Sequence, residues 1–431
     1  MPHALLINPW IYDFKAFDFW LKPLGLLYLA SYLRKSGFLI SFLDCLDRYH
    51  PVLKEIKKPK VDSFGRGKFL ATFIEKPKIY QQIPRRYKRY GIPEEYFEKI
   101  IGEMSSPDYI FLTSGMTYWY PGVQAVIRIL RRYFPKTPII LGGIYATLCQ
   151  NHARRHSGAD LVVSGPFETE LPRYLPGLKP TPFSELPFPA YDLYQKLDYV
   201  CLLTSRGCPF SCSYCAVPKL FPGFTFREKE KIIAEIDYYQ GLGIKNIAFS
   251  DDALLCHPEI KSILRILSEK RWSVNFHTPN GLHPRLIDEE TAHLLFRANF
   301  RTIYLSLETT SPRIQKETGG KVKTEEFLRA VNFLRRAGFE KEIHAYLIFG
   351  LPQQTPEDIK ESIDFVRSLG IKCHLAEYSP IPGTEEYKKL GFGEEIDPLY
   401  HNNTAFLYLT KREEILRMKS YLPLKSPSEK D

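Results

Sequence analysis

Short apolar runs alternate along this chain with longer stretches whose apolar positions recur every three or four residues. The first pattern fits buried strands and the second amphipathic helices. In the first 176 residues strands are predicted at Ala4–Asn8, Phe38–Leu43, Tyr109–Thr113, Ile139–Leu141 and Leu161–Val163. Helices fall at Leu24–Lys35, Tyr120–Tyr133, Cys149–His156 and Thr169–Leu175. Such alternation implies an α/β fold with a parallel, doubly wound sheet, whose ligands sit beyond the carboxyl ends of the strands. The chain there is rich in small residues: Asn8-Pro9-Trp10, Thr113-Ser114-Gly115-Met116, Gly142-Gly143-Ile144-Tyr145 and Ser164-Gly165-Pro166. Residues 48–106 interrupt the pattern as a long, basic, proline-bearing insertion, and a connection of that length is usually functional or mobile.

Prolines crowd residues 175–193, LPGLKPTPFSELPFPAYDL. They cannot continue a helix or a central strand, so a semi-rigid linker over 177–197 divides a first domain (1–176) from a second (198–388). In the second domain strands are predicted at Tyr199–Thr204, Asn246–Ser250, Ser273–Phe276, Thr302–Leu307, Glu342–Phe349 and His374–Tyr378. Helices follow near Glu228–Gln240, Glu259–Ser268, Asp288–Arg297, Thr324–Ala337 and Pro356–Leu369, the last with Thr355 as N-cap and Gly370 past its end. Six such units suit a barrel or partial barrel with its chemistry at the carboxyl ends of the strands. Residues 389–431 form a C-terminal extension, frayed at Ser426–Asp431.

Composition sets limits on this picture. A chain of 431 residues with 44% hydrophobic and 25% charged positions is a folded protein too large for one ordinary core. No run approaches the roughly 20 apolar residues of a membrane helix, and the N-terminus lacks a secretory pattern, so a cytoplasmic location is expected. Cysteines clustered in that compartment point to metal binding or catalysis rather than disulfides. Cys45, Cys149, Cys201, Cys256 and Cys373 are scattered among apolar neighbours and read as packing residues. The net charge of +10 is mostly dispersed. Its one cluster, Pro84–Tyr90 (PRRYKRY), could grip nucleic acid but reads first as a solvated face. The histidines of the second domain (His257, His277, His283, His344 and His374) read as structural.

Chemistry concentrates just after the first strand of the second domain, in Arg206-Gly207-Cys208-Pro209-Phe210-Ser211-Cys212-Ser213-Tyr214-Cys215. Three thiolates at C-x3-C-x2-C spacing can hold a cubane cluster and leave one iron open. Structural zinc, the alternative, normally takes four protein ligands, and no fourth lies at short spacing.

The triad, with Tyr214 before its third cysteine, resembles the signature of the radical SAM superfamily, and the resemblance extends over most of Asp198–Lys388. It implies a partial (β/α)6 TIM-like barrel with a 4Fe-4S cluster on Cys208, Cys212 and Cys215. S-adenosylmethionine (SAM) would chelate the open iron and be cleaved by one electron to a 5′-deoxyadenosyl radical. Tyr214 and the strand ends Ser250-Asp251-Asp252, Leu305-Ser306-Leu307-Glu308 and Phe349-Gly350-Leu351-Pro352 match segments that bind SAM in that family, marking Asp251, Asp252, Ser306, Glu308, Gly350 and Pro352. Asn280-Gly281 and Pro380-Ile381-Pro382-Gly383-Thr384 also match it. The first domain resembles the Rossmann-like cobalamin-binding domain upstream of many such enzymes. That implies cobalamin contacts at Ser114, Gly115, Gly142, Gly143, Ile144, Tyr145 and Gly165. Ser164–Glu168 departs from the usual glycine- and glutamate-rich version, and no D-x-H-x-x-G loop offers a histidine to cobalt.

The resemblance implies cobalamin-dependent methylation of an unactivated carbon on an unidentified substrate, with an electron donor such as flavodoxin or ferredoxin. Radical cyclisation, rearrangement or oxidation without methyl transfer is the second enzymatic reading. A non-enzymatic cobalamin or cluster sensor is the third, and a methylthiotransferase acting on RNA fits less well.

Overall fold

A computed structural model describes residues 1–421 apart from 55, 57, 271, 394, 395 and 420; the expected fraying of Ser426–Asp431 lies outside the described residues. The first half holds strands β1 (His3–Asn8), β2 (Ile11–Asp13), β3 (Leu39–Asp44), β4 (Ala71–Phe73), β5 (Lys88–Tyr90), β6 (Tyr109–Leu112), β7 (Ile139–Leu141) and β8 (Leu161–Val162). Five of these form one parallel sheet in the order β3-β1-β6-β7-β8. Counting only those five, the order is 2-1-3-4-5, so the direction of winding reverses between β1 and β6. The helix Tyr120–Tyr133 shows why this sequence folds so. Pro121 starts it, Val123, Val126, Ile127 and Leu130 bury one face, and Arg131 and Arg132 lie in its last turn.

Three expectations change here. The helix foreseen at Thr169–Leu175 is a short one, Phe167–Glu170, with a 3-10 turn after it, because Pro172 lacks an N–H. The helix foreseen at Cys149–His156 is preceded by a separate one, Gly143–Leu148. The insertion is built structure: β2, β5 and β4 form an antiparallel sheet and Glu94–Gly102 a helix. Its basic cluster keeps a solvated face, with Arg86 exposed, and is also braced: Arg85 lies over Tyr408, Arg86 over Phe73, and Arg89 pairs with Glu94 and covers Trp10.

The second half carries β9 (Val200–Leu202), β10 (Ser205–Gly207), β11 (Phe224–Phe226), β12 (Asn246–Phe249), β13 (Asn275–Leu282), β14 (Phe300–Glu308), β15 (Ile343–Phe349) and β16 (Lys372–Glu377). β9, β12, β13, β14, β15 and β16 lie side by side in chain order, all parallel, which is the topology of a partial (β/α)6 barrel. Helices cover one face through residues such as Ile236, Leu264, Leu295, Val331 and Ile363. Pro356–Ser368 starts as expected, with Thr355 Oγ accepting the Asp358 N–H and Asp358 answering to the Thr355 N–H. Asn280-Gly281 lies inside β13 rather than after it, at a register shift against β14.

The other face of this sheet is filled from the first half of the chain. Trp20, at φ +58°, stacks on His277 with ring centroids 4.6 Å apart. Tyr199, Cys201, Ala248 and Tyr304 complete that cluster, with Phe19 and Phe64 against it. Arg66 lies over Trp20, and Arg48 pairs with Asp18 at 2.9 Å. Tyr304 is stacked between His344 and Tyr346. His277 and His344 are thus packed, and burial lowers each to about 3.

Arg227, just past β11, anchors the hairpin that β10 and β11 form. It donates to the Leu203 carbonyl at 2.9 Å and meets Glu235 of the helix Lys229–Gly241 at 2.5 Å, both side chains fully buried. Residues 397–411 bridge the two halves. Tyr120 donates to Asp397, Tyr80 to the Leu399 carbonyl and Asn402 to Asp13. Burial lifts Asp13 to about 6, with the hydrogen bonds from Trp119 and Asn402 holding it down. The scattered cysteines are packed as expected: burial raises Cys149 to about 12 and Cys201, Cys256 and Cys373 to about 11.

Candidate functional site

The predicted strand Tyr199–Thr204 is shorter in the structure, and the polypeptide bends at Thr204 into β10, which carries Cys208 at its end. Asp251 causes the bend. Its carboxylate accepts the Thr204 and Ser205 N–H groups at 3.0 and 2.6 Å and both hydroxyls at 2.6 and 2.7 Å. Asp251 is fully buried, and both oxygens are taken up by the protein. The expectation that it contacts SAM is therefore corrected: a carboxylate holding four donors of its own chain is a structural clamp. Asp252, next to it, accepts the Gly207 N–H, and burial and Asp251 lift it to about 7.

The cysteine loop is held from three sides. Ser213, between the second and third cysteines, donates from its hydroxyl to Glu386 at 2.7 Å and from its N–H to the Thr318 carbonyl at 3.2 Å. Phe210 packs on the buried His283, ring centroids 4.5 Å apart. Gly319 lies at φ +99°, and a Cβ there would fall 2.8 Å from the Ser211 carbonyl oxygen, so only glycine permits this approach. Burial raises all three thiols, Cys215 to about 11, while the Lys321 ammonium pulls each down. Tyr214 is hydrogen-bonded to Cys212.

Lys321 is the residue that sequence reasoning missed. Burial pulls its ammonium down, but Glu308 and Cys212 outweigh this and leave it raised. It pairs with Glu308 at 3.2 Å, and Glu308 ends β14 at φ +67°. A non-glycine residue in the left-handed region is uncommon and marks a position held by its surroundings. The glycine pair Gly319-Gly320 just before Lys321 was the available signal. Ser306 is buried, with Gly281 against it: a Cβ on Gly281 would fall 2.7 Å from the Ser306 hydroxyl. Cys212, Tyr214, Glu308 and Lys321 thus meet at the carboxyl ends of the strands, and Ser306 lies two residues before Glu308 on β14.

The Gly350-Leu351-Pro352 turn is shaped by residues distant in sequence. Gln354 accepts the Gly350 N–H at 2.9 Å. Lys411 donates to the Leu351 and Gln354 carbonyls at 2.8 and 3.1 Å, and Leu407 lies where a Cβ on Gly350 would go.

A cavity of about 420 Å³ opens at the reversal point of the first sheet, reaching from Asn8, Ser114, Gly115, Gly142, Gly143, Ile144 and Gly165 to Arg206, Phe221 and Asp252 of the second. Of the predicted cobalamin residues all but Tyr145 line it. Tyr145 is fully buried and bonded through its hydroxyl to His152 at 2.7 Å, so that expectation is corrected: it is a core residue behind the wall. A side chain at Gly142 would meet nothing closer than the Val163 carbonyl oxygen at 4.0 Å, so the glycine keeps the wall flat there. The lining is mainly aliphatic and aromatic, with Glu168 paired to Arg206 at its polar end.

These residues suit the groups expected. Among the described residues no three His, Cys, Asp or Glu side chains converge on a single ion; in a cubane each cysteine sulfur stands on its own iron. Three thiols and one buried ammonium form a donor set for a negatively charged cluster, and the glycine-walled cavity suits a large, mostly apolar macrocycle.

The family model for the radical SAM superfamily matches residues 202–366, and that for the B12 binding domain matches 86–175. An uncharacterized methyltransferase of Pyrococcus horikoshii is 25% identical over 380 residues, covering 84% of this chain and 77% of its own. A tRNA-2-methylthio-N(6)-dimethylallyladenosine synthase of Petrotoga mobilis is 27% identical over 227 residues, about half of each chain. Among solved structures, the radical SAM methyltransferase TsrM of Kitasatospora setae aligns with TM-score 0.65 at 17% identity, over 90% of this chain and 75% of its own. The cobalamin-dependent SAM radical enzyme OxsB aligns with TM-score 0.59 at 16% identity, over 97% and 56%. At those identities the likeness is one of fold: a Rossmann-like sheet followed by a partial barrel.

Proposed function

Since the chain belongs to the radical SAM superfamily, in the branch with an N-terminal B12-binding domain, we propose that it methylates an unactivated carbon of a small biosynthetic intermediate, using cobalamin as methyl carrier. The observation that carries this reading is the shared cavity. Its walls run from the glycine-rich strand ends of the first sheet to Arg206 and Asp252, which flank the cysteine loop, so a methyl carrier and a radical source would face one substrate. When bound, the cluster and SAM supply a carbon radical, and cobalamin supplies a transferable methyl group.

The chain's own residues bind and orient. Cys208, Cys212 and Cys215 would hold the cluster, with Lys321 offsetting its negative charge. Ser306, Glu308, Asp252, Tyr214 and the Gly350-Leu351-Pro352 turn would cradle SAM, and Ser114, Gly115, Gly142, Gly143, Ile144 and Gly165 would floor the cobalamin site. The family requires a reductant; a flavodoxin- or ferredoxin-type donor in the cytoplasm is our reading. No helix among the described residues is long and apolar enough to cross a membrane.

Anaerobically reconstituted protein is expected to retain hydroxocobalamin through gel filtration and to consume SAM under reduction. Protein that cleaves SAM but binds no cobalamin would redirect the reading to radical cyclisation, rearrangement or oxidation.

Lys411 gives a second prediction. Its ammonium satisfies carbonyls of the SAM turn, and charged hydrogen bonds of this kind are worth about 1.5–3 kcal/mol. Lys411→Met is expected to weaken SAM binding by about tenfold, leaving cobalamin retention unchanged, with Lys411→Arg recovering most of the loss. Equilibrium dialysis with labelled SAM reads both, and unaltered affinity in Lys411→Met would remove the role.

A further inference from the structure

Basic residues are spread over the whole chain, but their surplus over acids is not. Residues 51–90, within the insertion, hold twelve lysines and arginines against three acids, so nearly all of the net charge of +10 resides there. Of those acids, Asp62 is taken by Arg66 at 2.7 Å, Glu75 is exposed, and Glu55 lies outside the described residues. Lys54, Lys58, Lys60, Lys68, Lys78 and Arg86 are all exposed. Like charges gathered on one surface repel one another and raise a positive potential that draws polyanions.

Part of this charge is organised around one ring. Phe73 ends β4, the outer strand of the β2-β5-β4 sheet, and is 58% exposed. Lys88 stands directly opposite on β5, its ammonium 5.2 Å from the ring centroid, and the Arg86 guanidinium lies 4.8 Å from it. Neither cation forms an ion pair among the described residues. Ala71 and Thr72 are exposed as well, so the whole of β4 faces solvent. At the opposite edge of the sheet β2 gives Ile11 to the cavity wall, so β4 lies two strands outside the cavity.

The ring decides between the anions this surface could hold. An acidic protein would answer the charge but give Phe73 no flat partner. A membrane would take the ring only together with Arg86 and Lys88, and charges are costly in the acyl region. A nucleobase stacks on an arene or a guanidinium, and the phosphates on either side of it reach the neighbouring cations. Bases in a duplex are stacked on one another, so the fitting strand is unpaired.

We propose that the insertion carries a binding site for single-stranded nucleic acid, centred on Phe73, with Arg86 and Lys88 gripping the phosphates beside the stacked base. The site is separate from the cavity and does not depend on the cobalamin reading.

The test titrates the cluster-reconstituted full chain into labelled single strands of about 12 nucleotides, RNA in one arm and DNA in the other. Fluorescence anisotropy is read at about 50 and 200 mM salt. A Kd of about 10 µM or tighter is expected at the lower salt, and binding about twentyfold weaker at the higher, the loss that neutralising about three phosphates gives. Binding of either strand supports the site, and the tighter one identifies the sugar it prefers. Phe73→Ala is expected to bind about tenfold more weakly with the same salt dependence. Arg86→Gln combined with Lys88→Gln is expected to flatten that dependence to about threefold. Both variants should cleave SAM like wild type. A wild-type Kd above about 100 µM at the lower salt overturns the proposal, as does Phe73→Ala binding within about twofold of wild type. Should Phe73→Ala fail to fold, an unchanged salt dependence in the double variant overturns it instead. Tighter binding to phosphatidylserine–phosphatidylcholine vesicles than to either strand overturns it in favour of a lipid surface.

Discussion

Replacing Cys212 with alanine is expected to abolish reductive cleavage of SAM while leaving the fold intact. Cys212 is half-buried on a loop whose shape is set by neighbours, with Ser213 bonded to Glu386 and Thr318, Phe210 packed on His283, and Asp251 bending the chain before β10. Removing one sulfur therefore disturbs little packing. It would remove one of the three proposed cluster ligands, and an ion or cluster contributes several kcal/mol to such a step, so a loss of about a thousandfold or more is expected. Iron content after reconstitution and production of methionine and 5′-deoxyadenosine measure it. Cys256→Ala, a packing thiol near Cys208, serves as the control and is expected to behave like wild type. Retained cleavage in Cys212→Ala would sink the assignment of the triad.

Loss of the Glu235 carboxylate is expected to be the most destabilising single change on the barrel side. Arg227 and Glu235 are 1% and 0% exposed and 2.5 Å apart. Tyr239 donates to the other Glu235 oxygen at 2.6 Å, and the Arg227 carbonyl meets His257 at 2.9 Å. Breaking a buried pair from one side strands a charge in the interior and costs about 3–5 kcal/mol. Glu235→Ala should accordingly lower the urea midpoint of unfolding, whereas Arg227→Met combined with Glu235→Leu, which removes both charges and keeps volume, should recover much of the loss. Because Arg227 also donates to the Leu203 carbonyl, weaker cluster retention is expected alongside. A single variant as stable as wild type would show the pair to be dispensable.

Parallel strands buried on both faces announce themselves as apolar runs, which is why β1, β6, β7, β12 and β15 lie close to where the sequence placed them. Long-range polar contacts leave no such trace. Asp251 and Asp252 are neighbours with the same side chain, yet one is a clamp and the other a cavity residue; only the return of Thr204 and Ser205 to within hydrogen-bond reach separates them. Tyr145 adjoins a glycine-rich strand end but turns inward to His152. The sheet in the insertion has no clear trace in the sequence because Lys88-Arg89-Tyr90 reads as a charge cluster; the Arg89 guanidinium and the Lys88 ammonium lie over the Trp10 and Phe73 rings instead. Lys321 and Lys411 stand in segments without periodicity, and their roles arise from partners far away in the chain.

The wedge of Phe19 and Trp20 against Tyr199, Cys201, His277 and Tyr304 bears on how the two halves hold together. Although the proline-rich segment looks like a seam, the barrel sheet completes its inner packing with aromatic rings from the other side of that seam. Severed at the linker, the barrel half would present a bare aromatic face and the other half an unseated tryptophan. The chain is modular to read and cooperative to fold.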